Sequence, residues 1–101
     1  MNPVDVETID PVFVGPGCVR RDVSVEGPVR AWVIDMAPGS EWPFTDQHDE
    51  MGELVYVVSG ELIEGETRYK AGTVVRYGPH SSHRPRTQTG VRLFGYNPRP
   101  L

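Results

Sequence analysis

The residues of this chain best suited to chemistry are His48, Glu53 and His83. His48 stands five positions before Glu53, and Glu53 seven before Gly60, within PGSEWPFTDQHDEMGELVYVVSG. His83 closes a second short segment, GPHSSH, about 30 positions further on. Two neutral imidazoles and a carboxylate arriving from separate strands suit a divalent first-row metal, in the facial arrangement of non-haem iron sites. Glu53 is followed by Leu54, Val55, Tyr56, Val57 and Val58, an apolar run on both faces. Pointing inward with Val55 and Val57, it would place a carboxylate at the mouth of an apolar interior, which is costly unless a cation or donors satisfy it. Metal-free acid–base work by Glu53 with either histidine is the alternative, because a His beside a buried carboxylate titrates near neutrality. Each histidine taken alone also has a plain structural reading as a surface or hydrogen-bonded residue, and His80 keeps that reading as a loop residue.

The elements that must hold these residues are short. Gly and Pro make up 21 of the 101 residues and punctuate apolar runs rather than forming a linker. No segment of helical length carries apolar positions at helical spacing without a breaker. Eight runs rich in Val, Ile, Tyr and Phe read as strands, several alternating in period two: 9–14, 18–25, 29–36, 53–59, 61–64, 67–70, 73–77 and 91–96. Turn signals bound them, such as Gly15-Pro16-Gly17 and Gly78-Pro79, and Glu64-Gly65-Glu66 reads as a tight hairpin. The pattern predicts an antiparallel sandwich or small barrel. Residues 1–8 are polar and are expected to form a loose arm, and Pro98 and Pro100 a short tail.

Composition narrows the classes. A chain of 101 residues fits a single domain, here 1–101. The net charge of −4 argues against nucleic-acid and anionic-membrane partners. Cys18 is the only cysteine, so no intrachain disulfide forms, and a reducing, cytoplasmic location is expected. No secretory signal opens the sequence and no apolar run is long enough to span a membrane. A phosphate-binding glycine loop with Lys and Ser/Thr is absent, as is a Gly-x-Ser-x-Gly elbow. Cys18 has no evident neighbouring base and is not read as a nucleophile.

Two motifs together resemble those of the cupins, a jelly-roll family. In that family's first motif a histidine, four residues, a glutamate, six residues and a glycine follow one another, and His48, Glu53 and Gly60 keep both gaps. In the second, a glycine is followed by five residues, then Pro-x-Gly, two residues and a histidine. Gly72, five residues and Gly78-Pro79-His80-Ser81-Ser82-His83 keep that spacing, with His83 on the last histidine. The resemblance covers roughly 30–96 and implies an all-β, double-stranded antiparallel jelly roll. It departs in three places: Asp46 stands where the first histidine is expected, Gly39 lies one residue too far from it, and the second motif's Pro and Gly are replaced at Gly78 and His80.

The resemblance implies a metal site of His48, Glu53, His83 and Asp46, holding Fe, Mn, Ni or Zn. An aspartate is a legitimate hard ligand, and it could instead hydrogen-bond His48 or face solvent. Glu50 and Gln47 are substitutes if the loop is shifted. The implied function is a metal-dependent enzyme with Glu53 as catalytic residue, acting on a small oxygen-bearing molecule by isomerase, lyase, cyclase or oxygenase chemistry. The alternatives are a non-catalytic ligand- or metal-sensing module and a degenerate, metal-free member. A homodimer through sheet packing is also implied. Around the site, Trp42 and Phe44 flank the ligand loop. On the last strand, Arg92 and Tyr96 would line a pocket if their side of the alternation faces inward; Trp42, Arg92 and Tyr96 are therefore the substrate-pocket candidates. Trp32 is read as plain strand.

Overall fold

The computed structural model describes residues 2–48 and 51–98. Nine strands run through it: β1 (Val12–Gly15), β2 (Cys18–Ser24), β3 (Val29–Met36), β4 (Asp46–Gln47), β5 (Glu53–Glu64), β6 (Thr67–Lys70), β7 (Val74–Tyr77), β8 (Ser82–His83) and β9 (Val91–Pro98). All pairs are antiparallel. The main sheet has the order β1-β2-β3-β9-β5, with β6 and β7 both pairing β5. The opposite layer contains the β5–β6 hairpin, the bridge between Ile63 and Arg86, and the separate two-stranded ladder β4–β8. This is the antiparallel sandwich that the alternating apolar runs predict, in the jelly-roll form that the cupin resemblance implies.

One strand serves both layers. The sequence reads 53–59 and 61–64 as two strands, but β5 runs unbroken from Glu53 to Glu64. It bends through a bulge between Val57 and Ser59 and through Gly60, whose φ is +76°. A Cβ at Gly60 would lie 1.9 Å from the Gly90 carbonyl oxygen. Only glycine combines that conformation with that approach. The first half of β5 pairs β9 and β7, the second half pairs β6.

The core lies between the layers. Met36, Val55, Val57, Val91 and Leu93 of the main sheet pack against Trp42 and Leu62. Full burial of a Leu or Val side chain contributes about 1.5–3 kcal/mol. Gly95 on β9 is a second close approach: a Cβ there would sit 2.7 Å from the Trp32 ring, so the bare backbone lets the indole lie across the strand. The N-terminal residues differ from the loose arm expected. Val6–Thr8 form one 3-10 turn, capped by the Asp5 side chain, and Glu7 reaches Arg92 at 2.7 Å. β9 also runs on to Pro98, where a tail was expected.

Candidate metal centre

The ladder that carries half of the site was too short to see in the sequence. β4 and β8 pair over two residues each, Asp46 opposite His83 and Gln47 opposite Ser82. The His48 amide continues the ladder by donating to the Ser81 carbonyl at 2.8 Å. Because strand side chains alternate, Asp46 and His48 share one face and Gln47 takes the other. Glu53 opens β5 opposite Tyr77 of β7. Asp46, His48, Glu53 and His83 each offer a donor atom, and these four atoms lie within 4.8 Å of one another.

The hydrogen bonds behind the histidines fix which nitrogens face the cluster. The Ser81 hydroxyl donates to the Gly78 carbonyl at 2.6 Å. Its oxygen therefore accepts from His48 Nδ1–H at 2.8 Å. His83 Nδ1–H donates to Glu64 Oε1 at 2.6 Å, and the Tyr77 hydroxyl donates to the same carboxylate. Both Nε2 atoms are left turned to carboxylates. His48 Nε2 is 2.5 Å from Glu53 Oε2 and 3.6 Å from Asp46 Oδ2, and His83 Nε2 is 3.4 Å from Asp46 Oδ2. In the neutral ring the outer nitrogen carries a lone pair. A lone pair against a carboxylate is repulsive unless a proton or a metal cation lies between. Histidine ligands held from behind by a hydroxyl or carboxylate are the usual arrangement of a metal site, so the donor set fits a divalent ion.

Electrostatics agree with that fit. Burial alone would lower the His83 pKa, but hydrogen bonds and charge from Asp46 and Glu64 outweigh it and push it up to about 9. Burial, then the Glu64 carboxylate, raises the Tyr77 phenol above its ordinary range, so it stays a donor. The His83 ring stacks on Tyr77 at 4.2 Å and lies 4.7 Å from the His48 ring. The side chains of His48 and Glu53 are 3% and 10% exposed.

These residues border a cavity of about 280 Å³ between the layers. Its apolar wall includes Trp32, Ile34, Met36, Trp42, Leu62 and Leu93. Trp42 and Phe44 thus lie where the flanking positions suggest, with Phe44 half exposed. Arg92 and Tyr96 do not line it and correct the expectation. On β9 the inward set is Val91, Leu93, Gly95 and Asn97, while Arg92 turns outward to Asp35 at 2.7 Å and to Glu7. Gln47 reaches the cavity rim, and Glu50 lies outside the described residues. His80 is exposed with φ +60°, taking the left-handed conformation that the motif's glycine would supply. Cys18 is buried, and burial raises its thiol pKa, as suits an inert core residue.

Several site residues were missed. Glu64 was read as half of a turn, although it follows Leu62 by two and so shares its inward face. Tyr77 ends an alternation in which Val75 and Tyr77 are the more buried pair. Ser81 and Trp32 carried no distinguishing signal.

No family model matches the chain, and no curated protein matches it in sequence. Solved structures do match. An RmlC-like cupin from Shewanella frigidimarina NCIMB 400 aligns over 96% of this chain and 89% of its own, at 22% identity and a TM-score of 0.76. A predicted oxalate decarboxylase from Thermotoga maritima aligns over 98% and 100%, at 16% identity and a TM-score of 0.84. The polyketide cyclase RemF from Streptomyces resistomycificus aligns over 97% and 79%, at 13% identity and a TM-score of 0.79. Architecture and neighbours agree: this chain is a small cupin-fold jelly roll.

Proposed function

We propose that this protein is a metal-dependent enzyme acting on a small oxygen-bearing molecule. His48, Glu53, His83 and Asp46 would hold the ion. The observation that carries the reading is the pair of histidine Nε2 atoms aimed at two carboxylates while both Nδ1 atoms are already engaged. Once bound, an iron, manganese, nickel or zinc ion would supply Lewis acidity toward a carbonyl or enolate oxygen, and iron would also suit oxygenation.

The chain's own residues have separable tasks. Ser81 and Glu64 orient the imidazoles. Tyr77 supports Glu64. Glu53, mostly buried yet bordering the cavity, is the catalytic carboxylate: it would hold the ion when one is bound and serve as the acid–base group where none is. The apolar wall excludes water and strengthens every charge interaction inside. Fold neighbours described as a predicted oxalate decarboxylase and a polyketide cyclase support an enzyme working on small oxygenated molecules. The proposed partner is a small molecule rather than a nucleic acid, in keeping with the net charge of −4.

A homodimer and a cytoplasmic location belong to the same proposal. The outer face of the main sheet carries Val74, Tyr56 and Phe94 in one cross-strand row, all exposed, which supports packing against a second copy. Among the described residues no helix is long and apolar enough to cross a membrane.

Elemental analysis of protein purified without added metal or chelator tests the central claim. Near-stoichiometric transition metal, lost in His48→Ala, is expected. Less than about a tenth of an equivalent, with no uptake of added Fe(II) or Mn(II), would point instead to a metal-free acid–base pocket or a degenerate member.

A further inference from the structure

The cavity is also bordered by a cation that makes no ion pair among the described residues. Arg30 lies on β3 with its side chain on the inner face, where it borders the cavity. Its guanidinium sits over the Trp32 ring, 5.4 Å from the centroid. The other arginines that form contacts are spoken for: Arg20 by Asp22, Arg21 by Asp35, Arg68 by Glu61, Arg84 by Glu41, and Arg92 by Asp35 and Glu7. Arg86 donates to the Gly65 carbonyl. Arg76 faces outward and exposed on β7. Among the described residues Arg30 makes no ion pair, and it is the inward guanidinium left without a carboxylate. A half-buried cation in that position is costly until an anion joins it.

The sheet register sets what that anion must be attached to. Arg30 pairs with Asn97 on β9. Leu54 pairs with Tyr96, and one step further that register sets Glu53 beside Asn97. Glu53 pairs with Tyr77. Arg30, Asn97, Glu53 and Tyr77 therefore form one polar row across four strands, and all four border the cavity. With about 4.8 Å between neighbouring strands, the backbones of Arg30 and Glu53 are about 10 Å apart. Side chains reaching inward from both leave a gap a few atoms long. The next row inward is apolar, with Trp32 and Val55 on either side of Gly95.

We infer that Arg30 binds the carboxylate of a small carboxylic acid, whose second oxygen function lies toward His48, Glu53 and His83. This deepens the proposed function and rests on its reading of the cavity as a ligand site. A guanidinium offers a planar fork that matches a carboxylate in two-point contact, and the cation–π contact with Trp32 steadies its position. The apolar row behind takes the body of the acid. The class is that of 2-oxo and 2-hydroxy acids, which carry a carboxylate and a second oxygen a bond or two apart.

Binding calorimetry on metal-loaded protein tests the assignment with pyruvate, lactate and mandelate, each beside its neutral amide. At least one acid is expected to bind about tenfold or more tightly than its amide. That preference is expected to vanish in Arg30→Gln and to survive in part in Arg30→Lys, with metal content unchanged in both. Equal binding of acid and amide by the unmodified protein, no binding of any acid, or a preference that persists in Arg30→Gln would each overturn it. Where Arg30→Gln folds poorly, the acid-to-amide ratio of the unmodified chelator-treated protein, in which no ion attracts the carboxylate, carries the test. Repeating the series on chelator-treated protein separates the two claims. A retained acid preference with no metal uptake keeps the Arg30 site and removes the metal reading.

Discussion

Asp46 and His83 are direct cross-strand partners in the β4–β8 ladder, and the same pair brings Oδ2 of one to 3.4 Å from Nε2 of the other. Backbone pairing, rather than a flexible loop, thus presents two of the four donor atoms. Asp46 occupies the position where the family motif has a histidine, and the ladder holds its carboxylate against the cluster instead of letting it drift to solvent. Asp46→Ala is expected to weaken Mn(II) or Fe(II) affinity by about tenfold or more, and His48→Ala or His83→Ala by more than about 100-fold. Metal titration followed by the thermal midpoint reads this directly, because an ion bound only by the folded state raises the midpoint with its concentration.

Glu64 acts through His83 and not on the ion. Glu64→Gln keeps the size of the side chain but removes the charge that favours His83 Nδ1–H as donor. Metal affinity should fall on the order of 10–100-fold with little loss of fold. Tyr77→Phe should cost less, since His83 keeps its own bond to Glu64. Comparing both variants by metal titration and thermal midpoint distinguishes orientation of the ligand from general damage.

The His83 shift makes the metal-free protein sensitive to base. Its pKa when folded, about 9, lies above the ordinary value of 6.5. Folding therefore favours the protonated ring. That contribution is fully present below about pH 6.5 and is lost as pH rises through about 9. The difference is on the order of 3 kcal/mol. Thermal midpoints of chelator-treated protein should fall across this window, and His83→Gln should flatten the slope. Metal-loaded protein should show no such fall, because the ion takes the place of the proton.

Gly60 is the hinge by which β5 passes from one layer to the other. Gly60→Ala would need a left-handed alanine whose Cβ collides with the Gly90 carbonyl, itself part of the backbone. A loss of roughly 3 kcal/mol or more is expected in denaturant unfolding. Gly39→Ala, at a glycine with φ +78° and open space around it, should cost only about 1 kcal/mol.

The exposed row of Val74, Tyr56 and Phe94 gives the dimer proposal its own test. Phe94→Glu places a charge in the middle of that row, on the face away from the cavity. If a second copy covers it, the sedimentation mass should drop to that of one chain while metal binding is kept.

How much of this was legible follows from the lengths of the signals. The long alternating strands and their Gly-Pro turns were readable, and with them the sandwich. His48, Glu53 and His83 were readable as a set because they keep the spacing of the two cupin motifs to Gly60 and Gly72, and they do come together in the fold. The β4–β8 ladder was not, since two residues carry no periodicity. The inward side of β9 was not, because both sides of Val-Arg-Leu-Phe-Gly-Tyr carry apolar residues and Phe94 faces solvent. Arg92 and Tyr96 were therefore placed in the pocket when Asn97 and Arg30 occupy it. Glu64 was hidden by its neighbour Gly65, whose turn signal is strong enough to absorb the residue before it.

The ladder has one more consequence, for the order in which the molecule comes apart. Two residue pairs hold Asp46 and His83 in place, whereas Glu53 starts a strand that is paired on both sides from Leu54 to Tyr56. Short peripheral pairings open with far smaller free energies than the sheet to which they are attached. Amide protons at 46–48 and 81–83 should therefore exchange with solvent through local breathing, long before those at 54–57. An ion gripped from both segments would close that breathing, so slowed exchange at Asp46 and His83 would report its arrival from within the backbone itself.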